Sequence, residues 1–262
     1  MISSEPKVLR ARAWRKMRPV SFAFNSDQGE FLMKTRFILA VCGLSFVLAG
    51  CASPPQKSVD LKPETLTVQG GRVGVVMTQL PKVNTYFPGA DCLLCMAGAE
   101  MMNSSLTGQT KNLTPEDLPT LKNQAADILR KRGLDVTVLT DNIDLDSLSS
   151  YGTDGVNVAK KNFSSLAEKY KVDKLVVFNI DSLGFVRPYS AYIPAGDPKA
   201  MLHGVGYMVN LKTNTYEWYA VVDVKKAASG NWDEAPAFPG LTNAYFQVIE
   251  LSKDKFLQPL AQ

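Results

Sequence analysis

Leu166-Ala-Glu-Lys-Tyr-Lys-Val-Asp-Lys-Leu-Val-Val-Phe-Asn-Ile180 is the stretch that decides the fold. Together with Phe163, its Leu166, Ala167 and Tyr170 recur at three- and four-residue spacing, which predicts a short amphipathic helix. A charged turn through Lys171 and Asp173 follows, and then an unbroken apolar run from Leu175 to Phe178. Strands apolar on both faces belong to parallel sheets covered on both sides. The stretch therefore reads as the helix and second strand of a strand–helix–strand unit.

Working toward the N-terminus, Asp135 to Thr140 alternates like the preceding strand. Before it, Leu118, Leu121, Ala125, Ile128 and Leu129 predict a helix that begins at Thr114-Pro115-Glu116-Asp117 and ends in Arg130-Lys-Arg132 with a stop at Gly133. Arg72 to Gln79 is another compact apolar strand, and Asp91 caps a helix carrying Leu93, Leu94, Met96, Met101 and Met102 at mixed spacing. A loop joins the two through Asn84 to Asp91. Toward the C-terminus, a long loop is expected over Asp181 to Lys199. Strands at Met201 to Leu211 and Tyr216 to Lys225 form a hairpin, and a helix spans Leu241 to Leu260. Residues 141–160 read as an inserted loop. The expected order is β-α-α-β-α-β-β-β-α, an α/β (α+β) fold with a mixed sheet and helices packed on it.

Ahead of this domain lies Met33-Lys-Thr-Arg-Phe-Ile-Leu-Ala-Val-Cys-Gly-Leu-Ser-Phe-Val-Leu-Ala-Gly-Cys51. Two cations, an apolar run and small residues before a cysteine make a secretory signal, and the run falls short of the roughly 20 residues of a spanning helix. The segment resembles a bacterial lipoprotein signal ending in a lipobox, which implies cleavage before Cys51 and a lipid on its thiol. Ala52 after that cysteine implies an outer-membrane address by the same resemblance. The expected organisation is an upstream extension over 1–32 that precedes a true start at Met33, a signal over 33–50, a lipidated tether over 51–66, and a periplasmic domain over 67–262.

Processing changes the charge. The whole chain carries +4, but eight Lys or Arg and three Asp or Glu precede Cys51, so 29 and 25 fall to 21 and 22. With the basic excess gone, nucleic-acid binding loses its compositional footing. About 210 residues remain, enough for one domain with a sizeable core.

Four cysteines are present. With Cys42 in the signal and Cys51 lipidated, Cys92 and Cys95 face an oxidising compartment. A structural disulfide, two buried thiols and a redox pair all suit Cys92-Leu-Leu-Cys95, although a thioredoxin-like site would follow a strand directly. One histidine, His203, and no further cysteine pair leave no expected metal site, and no cofactor motif occurs. Without a Gly-x-Ser-x-Gly elbow, and with no carboxylate pair set apart by context, no catalytic residue is assigned. The loop from Ser182 to Ala195 gathers Phe185, Tyr189, Tyr192 and Ile193, and these are the candidate partner contacts.

From Leu166 to Ile180, and in the hairpin ending Thr213-Asn-Thr-Tyr-Glu-Trp-Tyr219, the chain resembles the envelope lipoproteins related to the curli secretion subunit CsgG and the penicillin-binding-protein activator LpoB. That resemblance implies a domain like the TolB amino-terminal or anticodon-binding fold, a non-catalytic role in envelope assembly, Asp173 as a structural residue at a strand entrance, and Trp218 packed on the sheet. A pore subunit needs membrane hairpins of two 9–11-residue strands each. The loops 141–160 and 181–199 are barely long enough, so a secretion channel is the alternative rather than the expectation; a periplasmic thiol oxidoreductase or cell-wall enzyme is another. The expected partners are the membrane, through the lipid, and an envelope protein or a second copy of the chain.

Overall fold

The computed structural model describes residues 55–67, 71–153 and 155–262. In chain order the elements are β1 (Val73–Met77), β2 (Asn84–Tyr86), α1 (Leu93–Met102), α2 (Ser104–Thr110), α3 (Leu121–Lys131), β3 (Val136–Val138), α4 (Ser165–Tyr170), β4 (Lys174–Val186), β5 (Tyr189–Ser190), β6 (Ile193–Pro194), β7 (Lys199–Asn210), β8 (Thr215–Ala227) and α5 (Pro239–Ala261). The main sheet runs β3-β1-β4-β7-β8. β1 pairs in parallel with β3 and with the first five residues of β4, while β7 and β8 add antiparallel. β2 pairs in parallel with β4 farther along, at Gly184 to Val186.

Strand β4 explains the layers. Val176, Phe178 and Ile180 face one apolar cluster, roofed by α3 and α5. Leu175 and Val177 face a second, covered by Leu139, Ile143, Phe163 and Leu166. A bulge falls between Ile180 and Ser182, where Asp181 has no opposite number on β7. One extra residue reverses the side-chain alternation, so Leu183 and Phe185 return to the first cluster. The expected loop over 181–199 is thereby corrected: β4 runs on to Val186, and a small β5–β6 hairpin fills the remainder. The apolar run gives way to charge at Asp181, which mimics a strand end.

Three further expectations shift. The helix expected from Thr114 starts as a 3-10 turn at Leu118 and becomes α3 at Leu121, because Glu116 takes φ 49° and breaks the turn. The single expected helix after Asp91 is broken at Asn103 into α1 and α2, and the loop at Asn84 opens with β2. The segment read as a plain tether is partly built into the domain: Val59 pairs with Tyr219 on the outer edge of β8, and Leu66 is buried in the first cluster.

At the strand entrance, Asp173 Oδ2 accepts from the Arg72 backbone amide at 2.7 Å. Trp218 is buried beneath α5, over Gly206. A Cβ on Gly206 would lie 2.7 Å from the indole and 3.0 Å from the Phe256 ring, so only glycine leaves room for both.

Candidate functional site

Beyond the end of β4 lies a third, small cluster: Phe87, Ala90, Cys95, Ala99 and Tyr189. Helix α1 packs on it through Cys95 and Ala99, spaced four residues apart, with buried Asn103 and Leu106 continuing the stripe. The opposite side is apolar as well. Leu93, Leu94, Met101 and Met102 are 91%, 74%, 77% and 60% exposed. Each forgoes about 1.5–3 kcal/mol that full burial would provide, and so contiguous an exposed group marks a contact surface. At the start of α1 the structure joins Cys92 to Cys95 in a disulfide, and Cys92 Sγ accepts the Cys95 amide at 2.9 Å in place of the oxygen expected from Asp91.

The β5–β6 hairpin sits beside this helix start. The Tyr192 hydroxyl lies 3.7 Å from Cys92 Sγ, with Tyr192 and Ile193 mostly exposed. A polar brace holds the hairpin to the helices. The Asn103 amide donates to the Ala99 carbonyl at 2.7 Å and to the Tyr189 hydroxyl at 2.6 Å, and its oxygen accepts from Arg187 Nη1 at 2.7 Å. The Arg187 guanidinium lies 4.7 Å from the centre of the Trp232 ring, which stacks on Phe238. Gly89, at φ 90°, lets the Tyr189 carbonyl approach where a Cβ would stand.

A cleft of about 420 Å³ opens at the carboxyl end of β1, beside the bulge in the middle of β4, and is lined by Thr78, Asn142, Asp144, Asp146, Asn179 and Asp181. Connections leave β1 and β3 on opposite faces of the sheet, the arrangement that opens a crevice in α/β folds. Thr78 donates to Asn179 Oδ1 at 2.7 Å, Asn179 donates to Asp181 at 2.8 Å, and half-buried His203 lies 4.0 Å from Asp181. Thr78, Asn179 and Asp181 are thus engaged with one another. Nearby, burial pushes the Tyr207 phenol well above its usual range, and partial burial pushes Tyr216 up to about 12.

Of the candidate contacts, Tyr192 and Ile193 lie on the surface, whereas Phe185 and Tyr189 are interior. Phe185 packs edge-on against Tyr245, and Tyr189 against Phe87, so neither ring can reach a partner; the bulge at Asp181 turns Phe185 inward. Sequence reasoning missed Leu93, Leu94, Met101 and Met102 as surface residues. Their signal was the mixed spacing itself, because a helix apolar all round needs cover on more than one side. Among the described residues no group of three His, Cys, Asp or Glu is placed to hold a metal, and no helix is long and apolar enough to cross a membrane. Cys51 lies outside the described residues, as do the signal and the upstream extension.

No family model matches the sequence, and no curated protein sequence matches it. Among solved structures, the chain is similar to the PelC dodecamer from Paraburkholderia phytofirmans at 11% identity, covering 78% of this chain and 95% of that one with a TM-score of 0.35. It is also similar to the lipoprotein GNA1162 from Neisseria meningitidis at 11% identity, covering 69% and 99%, TM-score 0.28. A third similar chain is the hypothetical protein CT253 from Chlamydia trachomatis, at 9% identity, covering 72% and 98%, TM-score 0.28.

Proposed function

We propose that the chain is an outer-membrane-anchored lipoprotein, lipidated at Cys51, whose non-catalytic periplasmic domain binds a protein partner or a second copy of itself in envelope assembly or regulation. The observation that carries this reading is the β5–β6 hairpin, which holds Tyr192 and Ile193 out from a support fixed by Asn103, Arg187 and Tyr189. An aromatic and an aliphatic anchor on a rigid base lose little entropy on docking, which is what a binding hot spot requires. The test is a photo-crosslinking side chain placed at Tyr192 or Ile193 in cells. One dominant envelope protein supports an accessory or regulator. Adducts between copies alone move the reading to a self-assembling scaffold, and no protein adduct at either position overturns it.

A second reading, a thiol oxidoreductase, draws on Cys92, exposed at a helix start and bonded to buried Cys95. A Cys92→Ser/Cys95→Ser chain that keeps full function in cells removes it.

A further inference from the structure

The outer side of α1 has no cover within the described chain. Leu94, Ala97 and Met101 recur at three- and four-residue spacing, with Leu93 alongside, and the helix holds no Lys or Arg and a single acid, Glu100. The direction of the N-terminal segment bears on what covers it. Val59 and Tyr219 exchange backbone hydrogen bonds at 2.9 Å in an antiparallel bridge. From Tyr219, β8 runs to Ala227, which is level with Lys199 of β7 and, through it, with Val186 at the end of β4. The chain leading back from Val59 therefore heads for the end of the sheet where α1 and the hairpin sit. Val59 stands eight positions after Cys51, and Ala227 eight positions after Tyr219. At about 3.3–3.6 Å per residue the tether has the reach to bring the lipid-bearing cysteine level with that end and little beyond it.

We infer that α1 lays its outer side, Leu93, Leu94, Ala97 and Met101, into the interface of the bilayer that holds the lipid anchor. The inference rests on the lipidation of Cys51 proposed above, and it leaves the hairpin tip at the rim of the contact, free for a protein. A helix in the interface plane buries its apolar side at the headgroup boundary. Retention comes from the lipid; the helix fixes which face of the domain looks away from the membrane. With no cation on α1 the contact is apolar, so it should persist in high salt.

The test uses the lipidated mature chain in vesicles of phosphatidylethanolamine and phosphatidylglycerol with brominated acyl chains. Leu94→Trp and Met101→Trp each add an indole at an exposed position that the fold does not depend on, and Val221→Trp serves as control on the sheet. The expected result is that the indoles added at 94 and 101 lose most of their emission on brominated lipid, in low and high salt alike, while the one at 221 does not. A chain that floats with the vesicles but keeps both indoles unquenched overturns the role of α1 and leaves the anchor standing. Protein adducts in place of lipid adducts from a photo-crosslinker at Leu94 in cells overturn it too. A chain that carries no lipid and does not float overturns both this inference and the anchor.

Discussion

The Asn103 side chain, at the break between α1 and α2, donates to the Tyr189 hydroxyl at 2.6 Å and so couples the apolar helix to the hairpin that presents Tyr192. Asn103 is nearly fully buried, and its oxygen also satisfies Arg187. Asn103→Ala strands the phenol and one guanidinium donor, at a cost on the order of 2 kcal/mol. Because α1 rests on its own small cluster, the loss should appear as faster amide exchange over 93–102, with α3 and α5 keeping their protection. Unchanged exchange in α1 would show that the brace is idle.

Gly206→Ala should destabilise the whole domain by about 1–3 kcal/mol, since the new methyl meets Trp218 at 2.7 Å and a packed core cannot absorb it without strain. Adding Trp218→Phe should recover part of the loss. A double-mutant cycle in denaturant checks this, and simple additivity would refute the proposed clash.

Alkaline stability depends on the tyrosine cluster, in which the Tyr207 and Tyr216 rings lie 5.3 Å apart. Burial, with Tyr219 nearby, raises Tyr216 to about 12, against about 10 in an unfolded chain. Below pH 10 both states keep the proton and the contribution is complete. Between pH 10 and 12 only the unfolded chain releases it, so stability falls by up to about 1.4 kcal/mol per pH unit for this group. Tyr207, shifted the same way, adds to the slope. Tyr216→Phe should flatten the fall in a series of melts across this range.

The disulfide closes a loop of only four residues, from Cys92 to Cys95. Chain-entropy reasoning caps its contribution near 2 kcal/mol. Cys92→Ser/Cys95→Ser should therefore leave the main melting transition almost unmoved and loosen only the first turn of α1, seen as exchange at Met96 and Ala97. A large fall in the global transition would mean that the third cluster is a keystone of the core.

Local pattern carried much of the fold. Apolar spacing around Leu166 to Phe178 announced a helix feeding a buried parallel strand, and Gly133, at φ 86°, ended α3 near its sequence signal. The hairpin of β7 and β8 was legible from alternation, which records burial on a pleated surface. The stretch before Cys51 that resembles a lipoprotein signal is likewise a linear pattern read one residue after another, and its reading owes nothing to packing.

What the sequence alone could not determine were the features set by residues far apart in the chain. Whether Phe185 faces a partner or the core depends on the unpaired Asp181, a register event defined only once β7 lies alongside β4. The exposure of Leu93, Leu94 and Met101 depends on how few residues lie against α1, and no local pattern reports a missing neighbour. The direction of the segment before Val59 depends on a bridge across 160 positions to Tyr219. Sequence announced most of the helices and strands, because these follow from spacing along the chain; tertiary structure decided which apolar residues face outward, because burial is a property of what the chain brings together.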